Sequence, residues 1–366
     1  MEIALDARLL AYQSGGISSY IRGLLVGFRG LGLRRLPRLL LSRRMPPDPE
    51  VAAFPVVRCL TPPHHRWEQA LLAAEIWPRR IALLHSPDFI PLFTRRWRSV
   101  ITVHDLAFLR FPEFLTPESR RYYGQIGRAV AAADAIIAVS ECTRRDLLTL
   151  VEAPAEKITV IPEAPAPAFR PGPGPATDRP YFLFVGVLEP RKNIPGLLRA
   201  YARLWQTVGE ACPDLVLAGR PGWLCAEVVA QLTDPGWRGR VRWLAAPDQP
   251  AIVQLMQGAL ALVLPSYYEG FGLPVLEAMA CGTPVIASNR GALPEVAGDA
   301  ALLVDPDQPE ALAQAMRQLW EDPALRRDLG RRGLQRAAAF SWTATARATL
   351  AVYARVLGDA SPCSDA

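Results

Sequence analysis

Lysine is almost missing from this chain. Of its 366 residues, 41 are Lys or Arg, and only Lys157 and Lys192 are lysines. A composition that nearly always chooses the guanidinium makes each compact ammonium worth locating. Long apolar runs are also absent: no window holds about 18 uncharged apolar residues, which excludes a membrane-spanning helix. The six cysteines, at 59, 142, 212, 225, 281 and 363, contain no pair at metal-knuckle spacing and are too few for a disulfide scaffold. A reduced, cytosolic protein is expected. The opening Met1-Glu2-Ile3-Ala4-Leu5-Asp6 has acids where a secretory leader needs bases. With 50% hydrophobic and 21% charged residues, global disorder is excluded as well.

Proline is what the chain has in excess. There are 35, close to twice the usual share of about 5%. Most punctuate an alternation of short apolar runs with amphipathic stretches. Expected strands in the first half are Ile3–Leu5, Arg38–Leu41, Ile81–His85, Val100–Val103, Ala135–Val139 and Ile158–Ile161. Helical patterns lie between them, at Ser18–Phe28, Glu118–Ala132 and Thr143–Val151. Residues 163–180 read EAPAPAFRPGPGPATDRP, too rich in proline for helix or sheet, and mark a linker. The alternation restarts with Tyr181–Val187, Leu215–Ala218, Val241–Leu244, Ala259–Leu264, Val285–Ala287 and Ala301–Val304, and closes on a helical pattern at Thr343–Leu357. Alternating strand and helix implies a parallel sheet covered on both faces. The expected organisation is therefore a domain at 1–165, a linker at 166–180, a second domain at 181–341 and a closing helix and tail at 342–366. Ligands of such sheets bind beyond the carboxyl ends of the strands, so two facing sheets would enclose a cleft.

The net charge of +6 is uneven. Residues 1–165 carry 22 basic and 16 acidic side chains, whereas 166–366 carry 19 of each. Ala7 to Pro47 holds eight arginines and no other charge until Asp48. Such a run suits an anionic surface, and an arginine-rich solvated face accounts for it equally well. A nucleic-acid surface would need interleaved aromatics or a reader motif, and neither is present.

The densest chemistry lies in Pro265-Ser266-Tyr267-Tyr268-Glu269-Gly270-Phe271-Gly272-Leu273-Pro274-Val275-Leu276-Glu277. Gly270 and Gly272 allow positive φ, Pro274 suits a helix start, and bare amides at Gly272 and Leu273 would form an anion site. Glu269 and Glu277, eight positions apart, would repel a phosphate and so should face sugar or ribose hydroxyls; a helix start with one dipole-favoured glutamate in its first turn is the simpler alternative. Gly186 to Asn193, with Arg191 and Lys192, follows another strand, where adjacent cations can neutralise a diphosphate. Gly219 could open room for a base or phosphate. Gly15-Gly16 forms either a phosphate cradle or a tight turn. His104 ends a strand, where it can donate to a sugar hydroxyl or handle a proton. His85, Ser86 and Asp88 are weaker candidates. His64 and His65 receive no role, and Asp305-Pro306-Asp307 reads as helix capping in place of a metal motif.

These residues together resemble the retaining glycosyltransferases of family 4, with the two-domain GT-B fold: two Rossmann-like parallel-sheet domains facing a cleft, and a last helix crossing back to the first. The resemblance runs from Gly15-Gly16 through Thr102-Val103-His104-Asp105, Val139-Ser140-Glu141, Gly186 to Lys192, the Glu269-x7-Glu277 signature and Gly291-Ala292-Leu293-Pro294-Glu295 to Trp342. It implies a nucleotide-diphosphate sugar donor, GDP-mannose first, and transfer of a hexosyl unit to a glycan or lipid-linked acceptor in surface polysaccharide synthesis. It places Glu269 and His104 on the donor sugar, Arg191 and Lys192 on the diphosphate, and Glu277 on the ribose. Gly270, Phe271, Gly272 and Leu273 would give amides to diphosphate and sugar, and Gly16 would approach the phosphate. No metal and no cofactor are implied. The enzyme would work in the cytoplasm, with its basic first half on an anionic membrane. An epimerase or a silent nucleotide-sugar-binding protein on the same fold is the competing reading. Val187 stands where many members have Arg, and Glu163-Ala164-Pro165-Ala166 replaces the common Asn-Gly-Val-Asp turn.

Overall fold

Parallel neighbours require a crossover after every strand, and the amphipathic stretches supply it. A computed structural model describes residues 2–12, 15–175 and 179–358. Residues 176–178 of the expected linker and 359–366 of the expected tail, with Cys363, lie outside the described residues. The chain forms two compact α/β units. One takes in the chain to Leu109, Pro117–Ala164 and the chain from Ser341; the other takes in Arg110–Thr116 and Pro165–Phe340.

The first unit's described sheet contains β1 (Glu2–Asp6), β2 (Arg38–Ser42), β3 (Val56–Cys59), β4 (Ile81–Ser86), β5 (Arg98–Val103), β6 (Ala135–Ala138) and β7 (Ile158–Val160). They are parallel, in the order β3-β2-β1-β4-β5-β6-β7. The second unit has β8 (Tyr181–Val185), β9 (Asp214–Ala218), β10 (Val241–Leu244), β11 (Ala261–Leu264), β12 (Val285–Ser288) and β13 (Leu302–Val304), parallel in the order β10-β9-β8-β11-β12-β13. β6, β8 and β11 are buried at every position, as strands covered on both faces must be. In each unit the winding reverses beside the first strand, between β1 and β4 and between β8 and β11. That is where an open α/β sheet leaves a crevice for ligands.

Three local features depart from the sequence reading. β3 was not expected: it is a four-residue edge strand after Pro55, with Arg58 exposed, and carries too little pattern to stand out. The helical stretch 118–132 is two helices, Pro117–Tyr123 and Ile126–Ala132, parted at Gly124. The proline-rich segment lies against the second unit, where Gln257 Nε2 donates to Arg170 O at 2.8 Å.

The closing helix, Trp342–Leu357, returns to the first unit and packs on the helix Gly16–Gly30. Glycine permits this contact. A Cβ on Gly23 would overlap the Trp342 indole, and one on Gly27 would overlap the Trp342 carbonyl. Ser341 caps the closing helix through Ala344 N, and Thr345 Oγ1 donates to Pro162 O at 2.7 Å. His85 is part of this packing: Nδ1 meets Tyr353 OH at 2.6 Å and Nε2 meets Thr102 Oγ1 at 2.8 Å. Burial, aided by His104, drives its pKa down to about 3, so the ring is neutral and structural. Gly23→Ala is expected to cost about 1–3 kcal/mol by overpacking, seen as a lower thermal midpoint. Gly127→Ala, in a helix with open space at the added methyl, is the control and should leave the midpoint unchanged or raise it slightly.

Candidate functional site

Two loops leave neighbouring strands at the reversal point of the second sheet. After β8 the chain runs through Gly186 into a single turn, Pro190–Lys192. Asn193 ends that turn in the left-handed region (φ 53°), caps the helix Ile194–Val208 by accepting from Gly196 N at 3.1 Å, and donates to Pro306 O at 2.8 Å. Arg191 and Lys192 are thereby fixed on a braced turn. After β11 the chain runs through Pro265–Gly272 into the helix Leu273–Ala280. Tyr267 N donates to Arg191 O at 2.8 Å and joins the two loops. Gly291 (φ 63°) backs the second loop: Ala292 N donates to Glu269 O at 2.9 Å, and a Cβ on Gly291 would stand 2.7 Å from that oxygen.

The loops meet in a buried ion cluster. Lys192 Nζ donates to Glu269 Oε1 at 2.5 Å, and Arg191 Nη1 donates to Glu269 Oε2 at 2.7 Å. Ser266 Oγ donates to Glu269 Oε1 at 2.7 Å. Arg191 also gives Nη1 to Tyr268 O at 3.0 Å and Nε to Glu189 Oε1 at 2.6 Å. Glu189, Lys192 and Glu269 are each about 5% exposed. Burial alone would raise the Glu269 pKa. Lys192 first, then Arg191 and Ser266, outweigh it and hold the carboxyl down at about 2. Two cations face two carboxylates, so the cluster is formally balanced before any ligand arrives.

The second loop differs from expectation in three details. Its positive φ falls at Gly272 (103°) and not at Gly270. Leu273 is the first helical residue, and Pro274 the second. Glu277 is then the fifth, beyond the first turn, so the reading of a dipole-favoured glutamate in that turn does not hold. Phe271 packs its ring on Phe340 at 6.1 Å. Gly219 does not open a space: a Cβ there would overlap the Gly186 carbonyl, so strand-end packing requires this glycine. Asp305 and Asp307 do not cap the following helix; both ion-pair with Arg290. Among the described residues no group of three His, Cys, Asp or Glu is placed to hold a metal. Sequence reasoning assigned no role to Ser266, Glu189 or Gly291, although all three lie inside the quoted motifs. It also missed that Arg110–Thr116, from the first half, joins the second unit. There Arg110 lies 5.7 Å over the Tyr268 ring and Trp223 Nε1 donates to Phe114 O at 2.7 Å.

In the first unit, His104 follows β5. Nδ1 meets Glu163 Oε1 and Nε2 meets Pro87 O, both at 2.9 Å. A carboxylate and a carbonyl only accept, so both ring nitrogens carry protons. Burial opposes that charge, but Glu163, through hydrogen bond and proximity, raises the His104 pKa above its ordinary value. Gly16 opens its helix with free space where a Cβ would stand. His64 is not idle, because it pairs with Asp88 at 3.1 Å beside Tyr122. The arginine run does not make one basic face. Arg8 is 1% exposed and paired with Asp6 and Glu68, Arg22 pairs with Asp48 and Glu50, and Arg38 pairs with Glu2. Arg34 and Arg35 precede β2 and Arg43 and Arg44 follow it, at opposite strand ends.

Residues 14–164 match the family model described as Glycosyltransferase Family 4, and residues 166–336 match the one described as Glycosyl transferases group 1. Over 284 residues the chain is 36% identical to the O-antigen chain mannosyltransferase B of Escherichia coli, covering 74% of each. The chain belongs to glycosyltransferase family 4. Its structure is similar to sucrose-phosphate synthase from Thermosynechococcus elongatus, with a TM-score of 0.80 at 24% identity over 98% of this chain and 99% of that one. It is also similar to Anabaena HepE in complex with UDP-glucose, with a TM-score of 0.74 at 19% identity over 97% and 100%. At those identities the likeness speaks for the fold, and the two units are the paired Rossmann-like sheets of GT-B glycosyltransferases.

Removing one partner from a buried ion cluster leaves the other uncompensated. Glu269→Gln is therefore expected to cost about 3–5 kcal/mol in denaturant melts, and adding Lys192→Met should recover part of that loss. The sign with pH follows from a depressed carboxyl. Its contribution is present above about pH 4.5 and is lost as pH falls towards 2, so Glu269→Gln should flatten that part of the acid profile. No recovery in the double variant, or an unchanged acid profile, would contradict the pairing.

Proposed function

We propose that this family 4 glycosyltransferase moves a mannosyl unit from a nucleotide-diphosphate sugar, GDP-mannose first, to a glycan or lipid-linked acceptor in surface polysaccharide synthesis. The observation that carries the reading is the Glu269–Arg191–Lys192 cluster, with Glu189 on Arg191, at the reversal point of the second sheet. The bacterial relative's name supports mannose. The UDP-glucose complex of HepE supports the donor class.

In this reading Lys192 and Arg191 take the diphosphate. Lys192 has three donors, of which Glu269 uses one. Amides of Gly270, Phe271, Gly272 and Leu273 add to the anion site at the helix start. Glu269 holds the two cations in register. Its Oε2 takes one bond from Arg191 and keeps capacity to accept a sugar hydroxyl. Glu277 takes ribose hydroxyls. His104 meets the donor sugar in this reading by turning one N–H from Pro87 O to a sugar oxygen while Glu163 keeps the other. Gly16 lets backbone approach the phosphate.

The reaction breaks the bond between the sugar C1 and the diphosphate oxygen and forms a bond from C1 to the acceptor oxygen on the same face. The acceptor proton passes to the departing phosphate. Positive charge grows on the sugar ring and negative charge on the diphosphate. Fixed cations stabilise the latter without reorganising, an effect worth roughly 10²–10³ in rate per donor. The same cations make a metal unnecessary in this reading.

A panel of nucleotide sugars, with product anomers read by NMR, tests it. GDP-mannose should give an α-linked product with retained configuration, undiminished by EDTA, and Lys192→Met should lower turnover at least about 100-fold. An inverted product, or activity restored only by Mg²⁺ after EDTA, overturns the mechanism. Turnover with another donor alone overturns the mannosyl assignment.

A further inference from the structure

The helix Ile194–Val208 begins beside Lys192 and carries the chain away from it. Trp205 stands 12 residues after Asn193, about 18 Å along the axis. The helix runs back from the carboxyl end of β8, so Trp205 lies at the amino ends of the strands. Glu210 precedes β9 and Trp237 precedes β10 at that same edge. Donor chemistry belongs beyond the opposite, carboxyl ends.

A cavity of about 450 Å³ opens there, lined by Trp205, Trp237, Gln206, Glu210, Asp234 and Arg238. Its size falls among small-ligand sites, which run from about 300 to 1,000 Å³. The two indoles stack with centroids 6.3 Å apart and planes 28° apart, and both are half-buried. Trp237 is held in place: Nε1 donates to Gln231 O at 2.7 Å, and the ring lies 5.9 Å from that of Tyr201. Asp234 caps its turn, Oδ1 accepting from Gly236 N at 2.8 Å. Rings fixed in this way lose little freedom when a ligand covers them. The polar groups around them are unspent. The Gln206 amide, the Arg238 guanidinium and Trp205 Nε1 make no hydrogen bond among the described residues, and Asp234 Oδ2 accepts none there. Arg238 and Trp205 only donate, Asp234 only accepts, and Gln206 does both. The charges cancel: Glu210 pairs with the buried Arg240 at 2.6 Å, and Asp234 is matched by Arg238.

We propose that this groove binds a neutral hexose glycan, apart from the catalytic cluster. Pyranose C–H faces lie on the indoles. Sugar hydroxyls, which donate and accept at once, exchange hydrogen bonds with Gln206, Asp234 and Arg238. A phosphate or a nucleotide fits less well, because the lining has no surplus of cations. A glycan acceptor held here stays at high effective concentration for repeated transfer. That role, and the choice of mannose, rest on the transferase reading above; the binding itself does not.

Native electrophoresis of the full chain through gels holding soluble α-mannan or, in parallel, soluble α-glucan tests it. Mannan should retard the wild type, and saturating GDP should make no difference. Trp205→Ala should weaken the apparent dissociation constant about tenfold, and Gln206→Ala/Arg238→Gly about fivefold. The double variant alters two exposed side chains, and the Arg238 φ of 51° is one that glycine adopts freely, so its turn is kept. Unchanged thermal midpoints establish that the variants fold. Retardation by glucan alone, lost in the same variants, upholds the groove and overturns only the mannosyl reading. No retardation by either polymer, retardation that GDP abolishes, or retardation undiminished in both variants overturns the groove.

Discussion

A carboxylate that has left water must be met by cations or become protonated. Glu269 is met by two, and much of the second unit serves to keep them there. β8 and β11 are neighbours only because the winding reverses at that point, so the loop bearing Arg191 and Lys192 lies beside the loop bearing Glu269. Asn193 pins one loop, Gly291 and Ala292 back the other, and Tyr267 joins them. A site assembled this way is rigid before substrate arrives, which is what electrostatic catalysis needs.

The first unit makes an analogous arrangement with different chemistry. Glu163 stands at the end of that unit's central segment, where the resemblance expects another residue, and it holds His104 as a double donor. The closing helix reinforces the same sheet through Tyr353 on His85, and Trp342 on Gly23 fixes how closely it lies. The chain's last segment is thus needed by its first.

The sequence carried the fold because parallel strands buried on both faces are simple to see: residues such as Tyr181–Val185 have no polar interruption. The edge strand β3 lacked that signature. Glycine and proline mark the site loops but not their phase: Glu277 lies one residue beyond the first turn, and of the two glycines expected to take positive φ only Gly272 does. Charge was the least legible property. Eight arginines in sequence looked like one surface, yet Arg8, Arg22 and Arg38 found acids 2 to 60 positions away. Conversely, Trp205 and Trp237 carry no joint pattern until folding stacks them. Partners distant in sequence decide such matters, and no local motif encodes them.

The scarcity of lysine supplies the most direct test. With only Lys157 and Lys192 present, lysine-selective ¹³C labelling gives two side-chain signals, one from each unit. On titration with GDP, the Lys192 signal should move saturably while that of Lys157 stays in place. Saturable GDP binding that leaves the Lys192 signal unmoved would contradict the assignment of this cluster to the diphosphate.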